Sequence, residues 1–374
     1  VDARAEASQT GAATAAAPLS RVSPRWRALR IALTLAAAAV GGYLAWRIGM
    51  PLPWMLGPFF VCGAGAALGF NVDYLPMGRE LGQVAVGLAV GMRFTPPVLA
   101  ATLALMPHMA VATLYVIAFT MVAALLFAWL AAVDYRTAFF ATAAGGMADM
   151  AVVAQERGAD AGAVSITHAI RVATVVSTVP FLVFALGEPG NVPEARDMAS
   201  HNLLLVALGL LLAYGGARLF KFTPFPNPWL VGPIFIGALL GATGILIVHV
   251  PWSLIVVAQI LIGVFLGCRF RREVLVKLPR VALAGLCVSL LMVAAAAAGA
   301  VVLTMASDLD FMTSFLALAP AAVTEMVITA QAMHIDPATV TAFHVMRIAV
   351  ISSTVLAVFA LFRKALELVH GTRI

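Results

Sequence analysis

The stretch ATAAGGMADMAVVAQERGAD at residues 141–160 returns 176 positions later as ALAPAAVTEMVITAQAMHID at residues 317–336. Both copies are largely apolar, yet small or helix-breaking residues interrupt their centres: Ala144, Gly145 and Gly146 in the first, Ala319, Pro320 and Ala321 in the second. An acid follows each break, at Asp149 and Glu325. Glycine or proline in the middle of an apolar segment argues against one continuous helix. A non-helical break at membrane depth is tolerated only where protein or a wet cavity surrounds it. Each copy is therefore read as a re-entrant helical hairpin with its tip inside the membrane.

Working outward from these hairpins, residues 137–179 align with residues 313–355 at a constant offset, with 15 identities in 43 positions. The shared residues include Met150/Met326, Gln155/Gln331, His168/His344, Arg171/Arg347 and Ser177/Ser353. PLPWMLGPFF at 51–60 returns as PNPWLVGPIF at 226–235, and QVAVGLAVGMRF at 83–94 returns as QILIGVFLGCRF at 259–270. The chain is an internal duplication. Residues 26–187 form the first membrane repeat and 202–366 the second, joined by an acidic linker at 188–201 that contains Pro and Gly. Residues 1–25, rich in Ala, Ser and Thr, read as a disordered cytoplasmic tail, and 367–374 as a short terminal one.

Of the 374 residues, 63% are hydrophobic and only 11% charged, whereas a soluble domain carries about 25% charge. That composition excludes an ordinary soluble protein and points to an all-α polytopic membrane protein. Each half holds six apolar blocks, in the first near 28–48, 52–70, 78–93, 97–132, 137–157 and 162–186. The fifth block is the hairpin, which leaves five crossings per half and about ten in all. An odd number of crossings inverts the second copy. With the N-terminus in the cytoplasm, 18 of the 23 basic residues then fall inside. Arg47, Arg93 and Arg196 lie outside, and Arg171 and Arg347 stay within the membrane. The positive-inside rule thus favours two inverted repeats, in a cell inner membrane with both termini cytoplasmic. The net charge of +6 is scattered between apolar runs, so no nucleic-acid partner is expected. Inverted repeats with broken helices describe secondary transporters.

Polar residues within the apolar blocks carry the functional reading, because ionisable groups in hydrocarbon are costly. Thr167, Arg171, Thr174 and Thr178 share one helical face, with His168 three residues before Arg171; His344, Arg347, Ser353 and Thr354 repeat much of the pattern. Asp149 and Glu325 are the expected partners of the arginines. They sit near half-helix N-termini, whose free N–H groups and positive dipole end suit an anion. In the functional reading Arg171 and Arg347 attract an anionic solute, Asp149 and Glu325 bind a coupling proton or cation, and Gly145, Gly146, Thr174, Ser177 and Ser353 complete the site. In the structural reading, arginines and acids form an intramembrane salt-bridge network that holds the scaffold. His168 and His344 either titrate near neutral pH or are hydrogen-bonded structural residues. Gly87/Gly91 and Gly263/Gly267 form GxxxG pairs suited to close helix packing. Gln83 and Gln259 line a cavity or bridge helices, and Cys62, Cys268 and Cys287 read as buried thiols.

PLPWMLGP, GQVAVGLAVGMRF and the tip AAGGMADMAVVAQERGAD, echoed by APAAVTEMVITAQAMHID, resemble the AbrB family of duplicated bacterial integral membrane proteins, also labelled ammonia monooxygenase. The resemblance covers residues 28–366, and the second half departs from it by replacing the tip glycines with AAVTEM. It implies a membrane-bound protein, in places involved in regulating gene expression. A metal-dependent oxygenase needs clustered ligands, and the seven histidines show only the duplicated singles His168 and His344. No enzyme activity and no cofactor are expected. The soluble transcription factor that shares the AbrB name needs a small polar DNA-binding module, which this sequence lacks. The reading is a secondary transporter for a small anionic solute, free to form a homo-oligomer in the bilayer; the alternative is a membrane-embedded regulator.

Overall fold

The computed structural model describes residues 24–186, 202–223, 225–270 and 278–370, without the side chains of 147–149 and 369–370. The expected linker and most of the expected N-terminal tail lie outside the described residues. In the first half α1 spans Pro24–Arg47, α2 Pro53–Ala67, α3 Gly78–Gly91, α4 Pro96–Ala104, α5 Met106–Ala131, α6 Tyr135–Thr142, α7 Met147–Glu156 and α8 Ala161–Leu186. In the second, α9 spans Leu203–Phe220, α10 Pro228–Thr243, α11 Trp252–Gly267, α12 Pro279–Ala306, α13 Phe311–Leu318, α14 Val323–Ala332 and α15 Pro337–His370. The last helix thus continues past residue 366, where a terminal tail was expected. All of the regular structure among the described residues is helical, and the chain is a multi-pass membrane protein.

Six helices, α1, α5, α8, α9, α12 and α15, are long and apolar enough to cross a bilayer. The other four expected crossings, α2, α3, α10 and α11, have only 14 to 16 residues, or about 21–24 Å at 1.5 Å per residue. They are shorter than the roughly 30 Å hydrocarbon core, and they pack on one another across the two halves. α2 packs on α11, α10 on α3, and α3 on α11, with α1 and α9 against the outside. Glycine permits this density. A Cβ on Gly91 would stand 2.5 Å from the Ile234 carbonyl oxygen, and one on Gly267 2.6 Å from that of Phe59. The GxxxG pairs therefore serve packing, each seating its half's third helix on the other half's second.

The remaining helices form a second bundle. α5 and α12 lie side by side, joined by contacts of His108 Nε2 with the Ala306 carbonyl (2.9 Å), Tyr115 hydroxyl with Ala295 (2.7 Å) and Arg280 Nε with Leu130 (2.8 Å). The start of one faces the end of the other. One apolar core gathers the end of α5, α6, the start of α8, the start of α12 and the end of α15. Another gathers the start of α5, the end of α8, the end of α12, α13 and the start of α15.

Two details differ from the sequence reading. The block at 97–132 is not one helix: it divides at Leu105, where Pro107 begins a new helix, and α4 stands at 93° to α3 across Thr95-Pro96-Pro97. α4 buries none of its residues. Cys287 is exposed on α12, whereas Cys62 and Cys268 are buried.

Candidate functional site

Both breaks fold as short helix pairs. In the first, the Asp160 backbone N–H, beyond the end of α7, donates to Thr137 Oγ1 at the start of α6 (2.9 Å). The chain therefore returns to the end it left, as a hairpin does. Each base is closed by acids that cap helix N-termini: Asp134 on α6, Asp310 on α13, Asp160 on α8 and Asp336 on α15. The tips differ. α7 and α14 begin at Gly146 and Ala322, whose own side chains cap nothing.

The opposite ends of the breaks, the C-termini of α6 and α13, leave carbonyls without helical partners, and the next long helix supplies donors. Arg171 Nη1 donates to the carbonyls of Thr142 (3.0 Å) and Ala143 (2.9 Å), and His168 Nε2 meets that of Phe140 (2.9 Å). In the second half Arg347 donates to Ala319 (2.8 Å) and Ala321 (3.0 Å), and His344 Nε2 meets Leu316 (2.9 Å). Each arginine also donates through Nη2 to the Nδ1 of its histidine, at 2.9 Å and 2.7 Å. Both ring nitrogens are thereby committed, Nε2–H to a carbonyl and Nδ1 to the guanidinium, which fixes one neutral tautomer. A cation at a helix C-terminus also meets the negative end of the dipole. This i, i+3 His/Arg pair is a cap for a broken helix.

The guanidiniums are not used up by capping. Arg171 and Arg347 are both buried, the Nε of each has no hydrogen-bond partner, and the two charges lie close enough to act on each other. The expected Arg347–Glu325 pair does not form: Arg347 turns to the tip carbonyls, because those are the orphaned acceptors within its reach. Glu325, 2% exposed in the first turn of α14, has Oε2 without a partner. The cations acting on it are Arg79 and Arg269, which stack against Phe265 at 5.0 Å and 4.7 Å from the ring centre. Neither arginine was expected at the site from the sequence. The side chain of Asp149 lies outside the described residues.

Of the other expected site residues, Gly145 is at the first tip, where a Cβ would meet Met150 Cε at 2.8 Å, and Gly146 starts α7. Thr174 is buried but returns its hydroxyl to the Ile170 carbonyl (2.8 Å); Ser177 is half-buried; Ser353 is exposed and bonded to Ala349 (2.7 Å). The structure thus gathers His168, Arg171, His344 and Arg347 around the tips and leaves Ser353 on the outside. Gln83 bridges helices: its Nε2 donates to Thr324 Oγ1 at the second tip (2.9 Å). Among the described residues no three His, Cys, Asp or Glu side chains converge as metal ligands would.

A family model described as "Transition state regulatory protein AbrB" matches residues 3–134 and 64–363. The chain is 26% identical to "Uncharacterized protein YhjN" of Bacillus subtilis, covering 91% of this chain and 94% of that protein. It is also 26% identical to "Putative regulator AbrB" of Escherichia coli, covering 82% and 88%. No solved structure matches. Carried on a family model that spans most of its length, the chain belongs to the AbrB family.

Proposed function

We propose that the protein is a secondary transporter of a small anionic solute, and not an enzyme, with two inverted repeats whose hairpins take turns in closing the path. The observation that carries this reading is the pair of buried guanidiniums at the tips, each with a free Nε and each acting on the other, next to the starts of α7 and α14. Like charges brought together away from water repel strongly. An anion between them would offset that repulsion and accept hydrogen bonds from the free Nε–H groups. The capping role explains three donors of each arginine and leaves the remaining charge for the solute. Asp149 and Glu325, first-turn acids of the returning arms, are the candidate sites for a coupling ion.

The antiparallel lie of the equivalent helices α5 and α12 supports inversion. Charge supports an orientation: Arg136, Arg280 and Arg363 join the capping acids Asp134 and Asp160 at the base of the first hairpin, while Asp308, Asp310 and Asp336 mark the base of the second. By the positive-inside rule the first base faces the cytoplasm of an inner membrane, with the chain termini on that side.

The test is thermal unfolding of the detergent-solubilised protein with small carboxylates and inorganic anions, since a ligand of the native state raises the melting temperature. Arg171→Gln keeps a donor for one tip carbonyl and removes the charge. One anion is expected to stabilise the wild type and lose its effect in Arg171→Gln, after which its flux is followed in liposomes. Stabilisation by no anion, with Arg171→Gln folded, would reject the transporter. It would favour the second reading, a membrane-embedded regulator, which rests on the family model's description and the name of the E. coli relative.

A further inference from the structure

The second hairpin holds a polar pair, Gln83 with the acid already offered to a coupling ion. Gln83 on α3 and Glu325 on α14 are 1% and 2% exposed, and Gln83 Oε1 and Glu325 Oε2 both lack a hydrogen-bond partner. They belong to one neighbourhood. Gln83 Nε2 donates to Thr324, the residue before Glu325, and Arg79, one of the cations acting on Glu325, sits one helical turn before Gln83 on the same face of α3. Two buried acceptors without a donor are an unstable arrangement, because each forfeits its bonds to water and gains none in return.

We infer that Glu325 binds a proton on Oε2 and shares it with Gln83 Oε1, making this interface a proton site that is complete only while the second hairpin rests on α3. One O–H bond to the carboxyl satisfies both orphaned oxygens at once. The proton comes from water as the hairpin seats and returns to water as it lifts. A metal cation fits less well. It needs several more oxygens, yet the carbonyls of Ala319 and Ala321 are held by Arg347. The charged groups around the site are Arg79 on α3 and Arg269 beyond α11; on α15, His344 and Arg347 are turned to the carbonyls of α13 and its tip, and on α13's own base Asp310 caps Thr313. The inference deepens the transport reading by naming the proton as coupling ion, and rests on it only for the coupling.

Difference infrared spectroscopy of the full chain in lipid reads the proton itself, whatever the solute. A carbonyl stretch of a protonated carboxylic acid is expected at neutral pH, lost in Glu325→Gln and shifted towards an unbonded acid in Gln83→Leu. Glu325→Gln is a neutral isostere that can donate to Gln83, so it is expected to fold with a melting temperature at or above that of the wild type. A wild type without that band overturns the inference, as does a band that Gln83→Leu leaves in place. Stabilisation by sodium chloride over choline chloride, abolished in Glu325→Gln, would assign the site to a metal cation instead. If the band behaves as expected and no solute moves a proton in liposomes, the transport reading fails and the proton site stands.

Discussion

The two hairpins are built alike and seated differently. Both tips are closed by the same His/Arg cap, with matching bonds in His168/Phe140 and His344/Leu316 and in Arg171/Ala143 and Arg347/Ala319, while the second carbonyl of each arginine differs, Thr142 before the first break and Ala321 within the second. Their returning arms part company. In α14, Ile328 is fully buried and packs with Val323 and Val327 against the short inner helices, whereas its equivalent Val152 in α7 is 57% exposed. The second arm is also tied to α3 by Gln83 and Thr324; the first has Ala148 where Thr324 stands, so Gln259, the equivalent of Gln83, meets no matching hydroxyl. The two arms differ in sequence at this contact, and on the transport reading their unequal seating is one state of a pair that exchanges.

The largest effects are expected where the hairpins agree. Arg171→Ala and Arg347→Ala each orphan two buried carbonyls, at about 1–3 kcal/mol apiece, so each is expected to cost about 2–6 kcal/mol of stability in detergent melts. Clearly unequal losses would break the shared-cap account. Next come the arms. Ile328→Ala is expected to cost about 2–5 kcal/mol as a buried truncation, and Val152→Ala to stay within about 0.5 kcal/mol, as exposed substitutions do. Equal costs would mean that the difference in seating is not maintained in solution. The smallest effects belong to the tie. Thr324→Ala is expected to cost about 1–2 kcal/mol by leaving Gln83 unpaired, and Ala148→Thr to slow labelling of a cysteine at position 152 by giving Gln259 an acceptor. Unchanged labelling would show that the tie does not set the balance.

Much of this architecture is legible locally. The breaks at Ala144–Gly146 and at Pro320 and the matched GxxxG pairs follow from side-chain size and backbone freedom within a few residues, and the duplication from matching one half against the other. The partners of the arginines are not legible in that way, because Arg171 and Arg347 bind backbone carbonyls 26 to 29 residues away, and carbonyls carry no sequence signal. One hint was present: a histidine three residues before each arginine, with Asp at every hairpin base and none capping a tip. The division at Leu105 escaped because the run stays apolar through Pro107. The unequal seating could not be read at all, since it depends on a contact between Gln83 and Thr324, 241 residues apart, and on which of two similar arms occupies the inner core.

Reciprocal seating is tested most directly by accessibility. With Cys62, Cys268 and Cys287 replaced, Val152→Cys and Ile328→Cys are labelled separately with a membrane-impermeant maleimide, with and without Thr324→Ala. Loosening the second hairpin is expected to raise labelling at 328 and, in the same background, lower it at 152. A rise at 328 with position 152 unchanged would show that the hairpins move independently and would contradict the alternating account.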